Sequence, residues 1–441
     1  MTHDDDALRA LANDCVHCGF CLPACPTYQL WGEEMDSPRG RIHLLNQLLD
    51  GAPLTEAAAA HFDRCLGCMA CMTACPSGVQ YDQLIEAARV RTEQAHEAPA
   101  GIGQRAFRDR AARAVIFALF PYPRRLRAAT GPLRLLQRTG LARRLAASPL
   151  PARISPTLGA ALLLAPSVGR TGAARGVRLP ERVRARGPRR AVVGMLTGCV
   201  QSVFFPRVNS ATARVLAAEG CDVVIPRGQG CCGALSLHSG REAEATRLAT
   251  ATIETFARAG VDAIVVNSAG CGSAMKDYER LVPDATGALA GKVRDFAEFL
   301  TELGPVAARH PVRAGGPVRA AYHDACHLGH AQRITRQPRE LLRAVPGLEL
   351  VELADAGTCC GSAGVYNLLQ PEAAAELGER KADAVLASGA SLLISGNPGC
   401  TLQISATLAA RGQRIAVAHI AEILDASIRR SNAVNVPFPT Q

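Results

Sequence analysis

Sixteen of the seventeen cysteines fall into four sets of four. Two sets form the runs Cys15-x2-Cys18-x2-Cys21-x3-Cys25-Pro26 and Cys65-x2-Cys68-x2-Cys71-x3-Cys75-Pro76. In such runs three closely spaced thiolates hold one iron–sulfur cluster, and the fourth, turned away by the proline, ligates its neighbour. The spacing therefore assigns Cys15, Cys18, Cys21 and Cys75 to one [4Fe–4S] centre, and Cys65, Cys68, Cys71 and Cys25 to a second. Lone C-x2-C pairs are common in structural zinc sites, whereas two complete runs with a crossed ligand are not. Two clusters sharing a crossed ligand set must lie close together, which suits electron transfer.

The other two sets are Cys199, Cys231, Cys232 and Cys271, and Cys326, Cys359, Cys360 and Cys400. Their landmarks are displaced by 127 (199 to 326), 128 (231 to 359) and 129 (271 to 400) residues. A nearly constant offset marks a duplicated unit. Each copy reads as strand, helix, strand, Cys-Cys-Gly, helix, strand, with strands near 190–196, 222–226 and 261–267, then 318–322, 348–353 and 391–396. Helices are expected over 206–219 and 240–259, and over 336–344 and 371–388. Alternation of this kind implies parallel sheets, whose carboxyl ends gather ligands, and the cysteines fall there. Each set suffices for an ordinary cube or a simpler metal site, and a site without metal is the remaining alternative. Cys221 has no counterpart and reads as a small buried hydrophobe.

Several other residues could do chemistry. His323, Asp324, His327 and His330 surround Cys326 and could ligate a metal, tune a cluster by hydrogen bonds, or simply be satisfied polar groups. His17 and His43 admit the same alternatives. Arg39 and Arg41 beside the first runs could offset cluster charge. Gly228-x-Gly230-x-x-Gly233 has the letters of a dinucleotide fingerprint. Its counterpart Ala356-Gly-Thr-Cys-Cys-Gly361 loses the glycine spacing, and Asn267 stands where an acid would close the next strand. The glycines are better read as room for adjacent thiolates to bend.

The elements that position these residues divide the 441-residue chain into four parts. Residues 1–99 form an α-helical ferredoxin-like module, with a short helix over 1–13, a helix opening at Ser37-Pro38 (serine cap, proline at the first position) and an amphipathic helix over 81–97. Residues 100–190 are an Arg-rich bridge, helical over 106–147 and an exposed linker over 165–190. Residues 191–310 and 316–430 are the two α/β repeats. Aromatics are scarce at 4%, so the cores rest on Ala, Leu, Val and Ile. The fold class is multi-domain α+β.

The net charge of +10 is uneven. Between Arg105 and Arg190 stand 20 arginines against Asp109 and Glu181, so the remainder of the chain is acidic. A solvated connector, a docking face for an acidic partner and a cationic helix on an anionic membrane all fit this segment. Nucleic-acid binding would fit the charge alone, but no recognition motif accompanies it. The longest apolar runs, Ala114–Phe120 and Leu158–Pro166, fall short of the roughly 18 residues of a membrane span. Clustered cysteines and the absence of a signal-like start in MTHDDDALRA point to the reducing cytoplasm.

The whole chain resembles the iron–sulfur subunit of bacterial glycolate oxidase (glycolate dehydrogenase). The carrying stretches are Cys15-Val-His-Cys-Gly-Phe-Cys-Leu-Pro-Ala-Cys-Pro-Thr-Tyr28, Asp36-Ser-Pro-Arg-Gly-Arg-Ile42, Cys65-Leu-Gly-Cys-Met-Ala-Cys-Met-Thr-Ala-Cys-Pro76 and Tyr322-His-Asp-Ala-Cys-His-Leu328. The Cys-Cys-Gly repeats resemble a broader group that includes heterodisulfide reductase, lactate-utilisation and anaerobic glycerol-3-phosphate dehydrogenase subunits. Those domains end in Cys-x-x-Cys, whereas Cys271-Gly-Ser-Ala274 and Cys400-Thr-Leu-Gln403 lack the last cysteine. The resemblance implies electron transfer during oxidation of glycolate to glyoxylate. FAD would sit on partner subunits, with no flavin on this chain, and the acceptor would be a quinone reached at the inner membrane face through residues 105–190. A related complex oxidising lactate or glycerol 3-phosphate is the nearest alternative, and a nucleic-acid-binding protein with structural clusters is the distant one.

Overall fold

The computed structural model describes residues 4–98, 101–146, 148–166, 179–283, 289–313 and 316–431. The first cysteine loop follows the helix Asp5–Asn13 and leads into the short helix Pro26–Trp31. The helix Pro38–Leu49 begins where serine and proline require: the Ser37 hydroxyl accepts the Gly40 N–H at 3.0 Å. Gly40 is needed for packing, because a Cβ there would lie 2.0 Å from the Glu34 carbonyl oxygen. The second cysteine loop lies between the helices Glu56–Arg64 and Ala70–Ala74, and Tyr81–Glu97 closes the module. That last helix buries Glu86 and Arg89 as well as its apolar face, so it is an internal strut with neighbours on several sides.

The bridge folds into the helices Phe107–Leu119, Pro123–Arg138, Leu141–Ala146, Leu150–Ile154 and Pro156–Leu164. Arg105 ties its start to Asp63 (2.5 Å) and Glu93 (3.0 Å) of the cysteine module. The Tyr122 hydroxyl donates to Glu244 at 3.1 Å, and the Arg241 guanidinium sits 4.7 Å from the Phe117 ring centre. These contacts tie it to the first repeat. Of the stretch read as an exposed linker, residues 167–178 lie outside the described residues. Its end is not linker: β1 (Arg182–Val183) pairs antiparallel with β3 (Cys221–Val224), because an edge strand is completed by any short extended segment that reaches it.

The first repeat contains β2 (Ala191–Leu196), β3, β4 (Ala263–Val266) and β5 (Val293–Asp295), and its sheet has the order β1-β3-β2-β4-β5. The second contains β6 (Val318–His323), β7 (Leu348–Glu352), β8 (Leu392–Ser395) and β9 (Ala416–His419), in the order β7-β6-β8-β9. Apart from β1 every neighbouring pair is parallel. The fourth strands β5 and β9, only three and four residues long, are additions to the sequence reading. Each ends in a residue that caps the following helix, Phe296–Leu303 or Ile420–Arg429. Asp295 accepts the Ala297 N–H at 2.8 Å, and His419 Nδ1 accepts the Ala421 N–H at 3.0 Å.

The repeats pack with exchange symmetry. The helix Pro206–Ala218 of the first lies on Ile420–Arg429 of the second, and Phe296–Leu303 of the first lies on Arg336–Arg343 of the second. One continuous apolar core joins them, with Val193, Met195 and Phe296 on one side and Ala320, Tyr322 and Ile394 on the other. Cys221 lies in this core, fully buried, and burial pushes its thiol up to about 11.

Candidate metal centres

Cys15, Cys18, Cys21 and Cys75 line one small cavity of about 30 Å3, together with His17 and Arg39. Cys18 is exposed and the other three are half-buried. The loop crosses itself with His17 in the left-handed region (φ 53°), held where Arg39 donates to the His17 carbonyl at 2.9 Å. Arg39 also pairs with Glu34 at 2.6 Å. His17 and Arg39 thus reach the outer cysteines, whereas His43 is exposed on a helix.

Cys25, Cys65, Cys68 and Cys71 are all buried. Beneath them lies Arg41, 1% exposed. Its guanidinium donates to the His61 carbonyl (2.6 Å), the Thr27 hydroxyl (3.1 Å) and Asp36 Oδ1 (3.2 Å). Asp36 is paired in turn by His61 (2.9 Å) and Arg64 (3.1 Å). A buried cation with this many acceptors is tolerable because its bonds are made. Burial pushes the Cys65 thiol up, but Arg41, Arg89, the Gly67 N–H and the Tyr81 hydroxyl outweigh it and hold the group below its ordinary value. Burial raises Cys68 and Cys71, helped by neighbouring sulfurs: Cys326, Cys25 and Cys65 for Cys68, and Cys68, Cys65 and Cys25 for Cys71. Cys25, from the first run, therefore sits among the sulfurs of the second.

In the repeats each set of four converges at the carboxyl end of its sheet. Cys199 Sγ lies 3.5 Å from Cys231 Sγ. Cys232 accepts from Cys231 and Cys271, which holds its thiol well below the ordinary value. Cys360 is held low in the same way by Cys359 and Cys400. The glycine after each pair has positive φ, 89° at Gly233 and 87° at Gly361, and a helix carbonyl crowds it. A Cβ would meet Ala245 O at 3.0 Å in the first and Ala374 O at 2.5 Å in the second. Gly228 and Gly230 have open space around them, so only the last glycine of that motif is required by packing.

The polar residues around Cys326 separate by role. Arg339 clamps Asp324 at 2.6–2.8 Å, away from the sulfurs. His327 Nε2 meets the Gly67 carbonyl at 2.8 Å, and His330 meets Thr73 at 2.9 Å and the Gly357 carbonyl at 2.8 Å. These two histidines bind the second cysteine loop to the second repeat. His323 remains, with a ring nitrogen and the Cys360 and Cys400 sulfurs all within 4.8 Å of one another.

A cavity of about 850 Å3 lies between the bridge and the repeats. Its floor carries all four cysteines of the first repeat and Cys326, Cys359 and Cys400 of the second, with Cys65 and Cys68 at one side. Its roof is apolar, from Ile116, Leu119 and Phe120 of one bridge helix to Leu158, Leu162 and Leu164 of another. The two runs too short to span a membrane thus cover the sulfur sites. The cavity, Arg89 and the burial of Arg41 in a hydrogen-bond network were not read from the sequence, which offered Arg41 only as a charge beside the first runs, on the helix opening at Ser37-Pro38. Every cysteine is a free thiol, and sulfurs gathered in fours without disulfides suit iron–sulfur clusters.

Comparison with known families agrees with this layout. A 4Fe-4S dicluster domain model matches residues 11–79, and a cysteine-rich domain model matches residues 193–276 and 320–405. A model described as the linker region of the glycolate oxidase iron–sulfur subunit matches residues 108–162. The chain is 34% identical over 423 residues to the probable glycolate oxidase iron-sulfur subunit of Bacillus subtilis, covering 93% of each. It is 33% identical to the glycolate oxidase iron-sulfur subunit of Escherichia coli, covering 97% of this chain and 95% of that one. Lactate utilization protein A of an Exiguobacterium species is 33% identical over 245 residues, 54% of this chain and 99% of the relative. No helix among the described residues is long and apolar enough to cross a membrane. From the cysteine loops through the linker to both repeats, the chain belongs to the glycolate oxidase iron–sulfur subunit family.

Proposed function

We propose that this chain is the electron-carrying subunit of a glycolate-oxidising complex, placed between a flavoprotein partner and a quinone. Cys15, Cys18, Cys21 and Cys75 hold one [4Fe–4S] cluster, Cys65, Cys68, Cys71 and Cys25 a second, and the two repeat sets hold further iron–sulfur centres. Bound clusters of this kind supply one-electron acceptance and donation. The observation that carries the reading is continuity: sulfur sites run from the exposed Cys18 to the buried inner set, whose Cys68 lies beside Cys326, and on to the cavity floor.

The protein's own residues prepare each stage. Val16 and Phe20, 68% and 67% exposed, ring the outer loop with apolar surface where a partner would exclude water. Arg41 and Arg89 place positive charge beside the inner thiolates, which favours the anionic, metal-binding form. The cavity matches the size and apolar lining of small-molecule sites, as a quinone ring and its tail require. Leu135 and Leu150 are exposed on the bridge among its arginines, outside the cavity lining, a combination suited to an anionic membrane surface.

The test is to add glycolate anaerobically to the chain assembled with its flavoprotein partner and to follow the clusters by EPR. Reduction by glycolate, and reoxidation by a short-chain quinone, is the expected result. Clusters that stay oxidised with glycolate but are reduced by lactate or glycerol 3-phosphate would replace the substrate. Clusters indifferent to all three would overturn the reading.

A further inference from the structure

The strands of the two repeats pair in matching register, and that register exposes a difference between their metal sites. At the carboxyl end of the first sheet Leu196, Val266 and Asp295 stand side by side across β2, β4 and β5. The same row of the second sheet reads His323, Ser395 and His419 across β6, β8 and β9. Leu196 belongs to the buried apolar cluster that also holds Cys199, Cys231 and Cys232. Its counterpart, the His323 imidazole, is 0% exposed. Neither ring nitrogen of His323 has an oxygen or nitrogen partner among the described residues; its one polar contact is with the Cys360 sulfur, whose thiol it helps to hold low.

Leaving a buried polar group unpaired costs about 1–3 kcal/mol, and native proteins rarely tolerate it. What His323 does face is sulfur: its nitrogen and the Cys360 and Cys400 sulfurs lie within 4.8 Å of one another, all buried. Of the neighbouring polar groups, Asp324 is held by Arg339, His330 by Thr73 and the Gly357 carbonyl, and His327 through Nε2 alone by the Gly67 carbonyl.

We propose that His323 is a nitrogen ligand of the metal centre in the second repeat. That centre is a mixed thiolate–imidazole site, whereas the centre of the first repeat is held by thiolates alone. The proposal rests on the reading of the chain as an iron–sulfur protein. It adds a donor where the second repeat, ending Cys400-Thr-Leu-Gln403, has no further cysteine. A neutral imidazole in place of a thiolate lowers the negative charge on the iron and raises its potential, as it does where histidine replaces cysteine in [2Fe–2S] centres. The two repeats are thereby set at different potentials, the second the more oxidising.

The experiment uses the full chain, reconstituted anaerobically with iron and sulfide, labelled with [15N]histidine and reduced with dithionite. Pulsed EPR should show one strongly coupled histidine nitrogen, and His323→Leu, which installs the residue of the first repeat, should abolish it. His323→Cys should retain iron, lose the nitrogen coupling and move one midpoint potential negative; it also serves if the leucine variant fails to fold. A strong coupling that survives both substitutions, or only the weak coupling of a hydrogen-bonded ring, would overturn the proposal. So would about eight irons per chain, two cubes of four, which would leave the repeats empty. In that last case glycolate would still reduce the clusters of the cysteine-run module, so failure here is distinct from failure of the electron-carrier reading.

Discussion

The two repeats share strand order, helix order and the placement of four cysteines, yet they hold the same neighbours by different contacts. The first holds the bridge by Tyr122–Glu244 and by Arg241 against Phe117, and the cysteine-run module by Arg280 with Asp82 at 2.9 Å and His238 with Glu86 at 3.4 Å. The second grips the cysteine-run module through His327 and His330 and meets the bridge through apolar packing, Val365 and Leu368 clustering with Ile116 and Phe117. Where the first sheet ends in leucine, valine and aspartate, the second ends in histidine, serine and histidine. Duplication kept the sulfur frame, because adjacent thiolates need a positive-φ glycine pressed against a helix carbonyl. Divergence acted on the residues around it, which determine the contacts and electronic environment of each site.

The most direct way to break this comparison is to remove one sulfur from each copy. Cys359→Ser should lose the metal of the second repeat, with about four irons gone if it is a cube, and the histidine nitrogen coupling with it. Cys231→Ser should lose a similar share and leave that coupling intact. Iron counts after each substitution check this, and equal loss of the coupling in both would mean that the sites are not separate.

The glycines sharpen the comparison next. Left-handed geometry alone costs a non-glycine residue about 1–2 kcal/mol, and overpacking adds roughly 1–3 kcal/mol. Gly361→Ala, 2.5 Å from a carbonyl, should therefore destabilise more than Gly233→Ala at 3.0 Å, by about 1 kcal/mol or more. Denaturant unfolding of the two variants side by side measures the difference.

The helix caps respond to acid in opposite directions. Burial lowers His419 to about 4, opposed only by its bond to the Asn267 carbonyl, so the unfolded chain binds more protons between pH 4 and 6.5. Stability from this group is present above that window and lost as pH falls through it. Burial raises Asp295 to about 6, against the Ala297 N–H, so the folded chain binds more protons between about 3.8 and 6. Stability from Asp295 is present below that window and lost as pH rises through it. Each is worth ~3 kcal/mol at full extent, and they largely cancel in the native chain. Asp295→Asn should steepen acid unfolding below pH 6, and His419→Gln should flatten or reverse it, as thermal melts across pH 4–7 would show.

The smallest effect belongs to the pair joining the repeats. Arg214 meets Asp425 at 2.6 Å, but Arg429 meets the same carboxylate at 2.9 Å. Arg214→Ala leaves Asp425 partnered and should cost about 1 kcal/mol, against about 3–5 kcal/mol when both arginines are removed.

Much of this was legible because cysteine spacing and β-branched runs are local signals. The offsets near 128 residues revealed the duplication, and strands such as Ala191–Leu196 and Leu392–Ser395 fell within a residue or two of expectation. What escaped notice was set by tertiary contact. β5 is three residues long and gains its identity only from β4 beside it. Arg41 in isolation resembles any helical arginine; its burial follows from acceptors at 27, 36 and 61. The bridge showed its charge plainly, but its apolar runs acquire a purpose only when folded over the cavity. His323 was one of four candidate polar residues around Cys326, and only the register with Leu196 singled it out.

The hydrogen bond from His327 to the Gly67 carbonyl spans 260 residues of sequence. While the chain is being made, the wall around its inner cysteines cannot close until about three-quarters of the chain has been synthesised. Contacts that distant slow folding, so nascent protein must expose reactive thiols for much of its synthesis. Iron loading is best timed after release, and a truncated chain would be a poor acceptor for the cell's cluster-delivery machinery even with all eight early ligands in place.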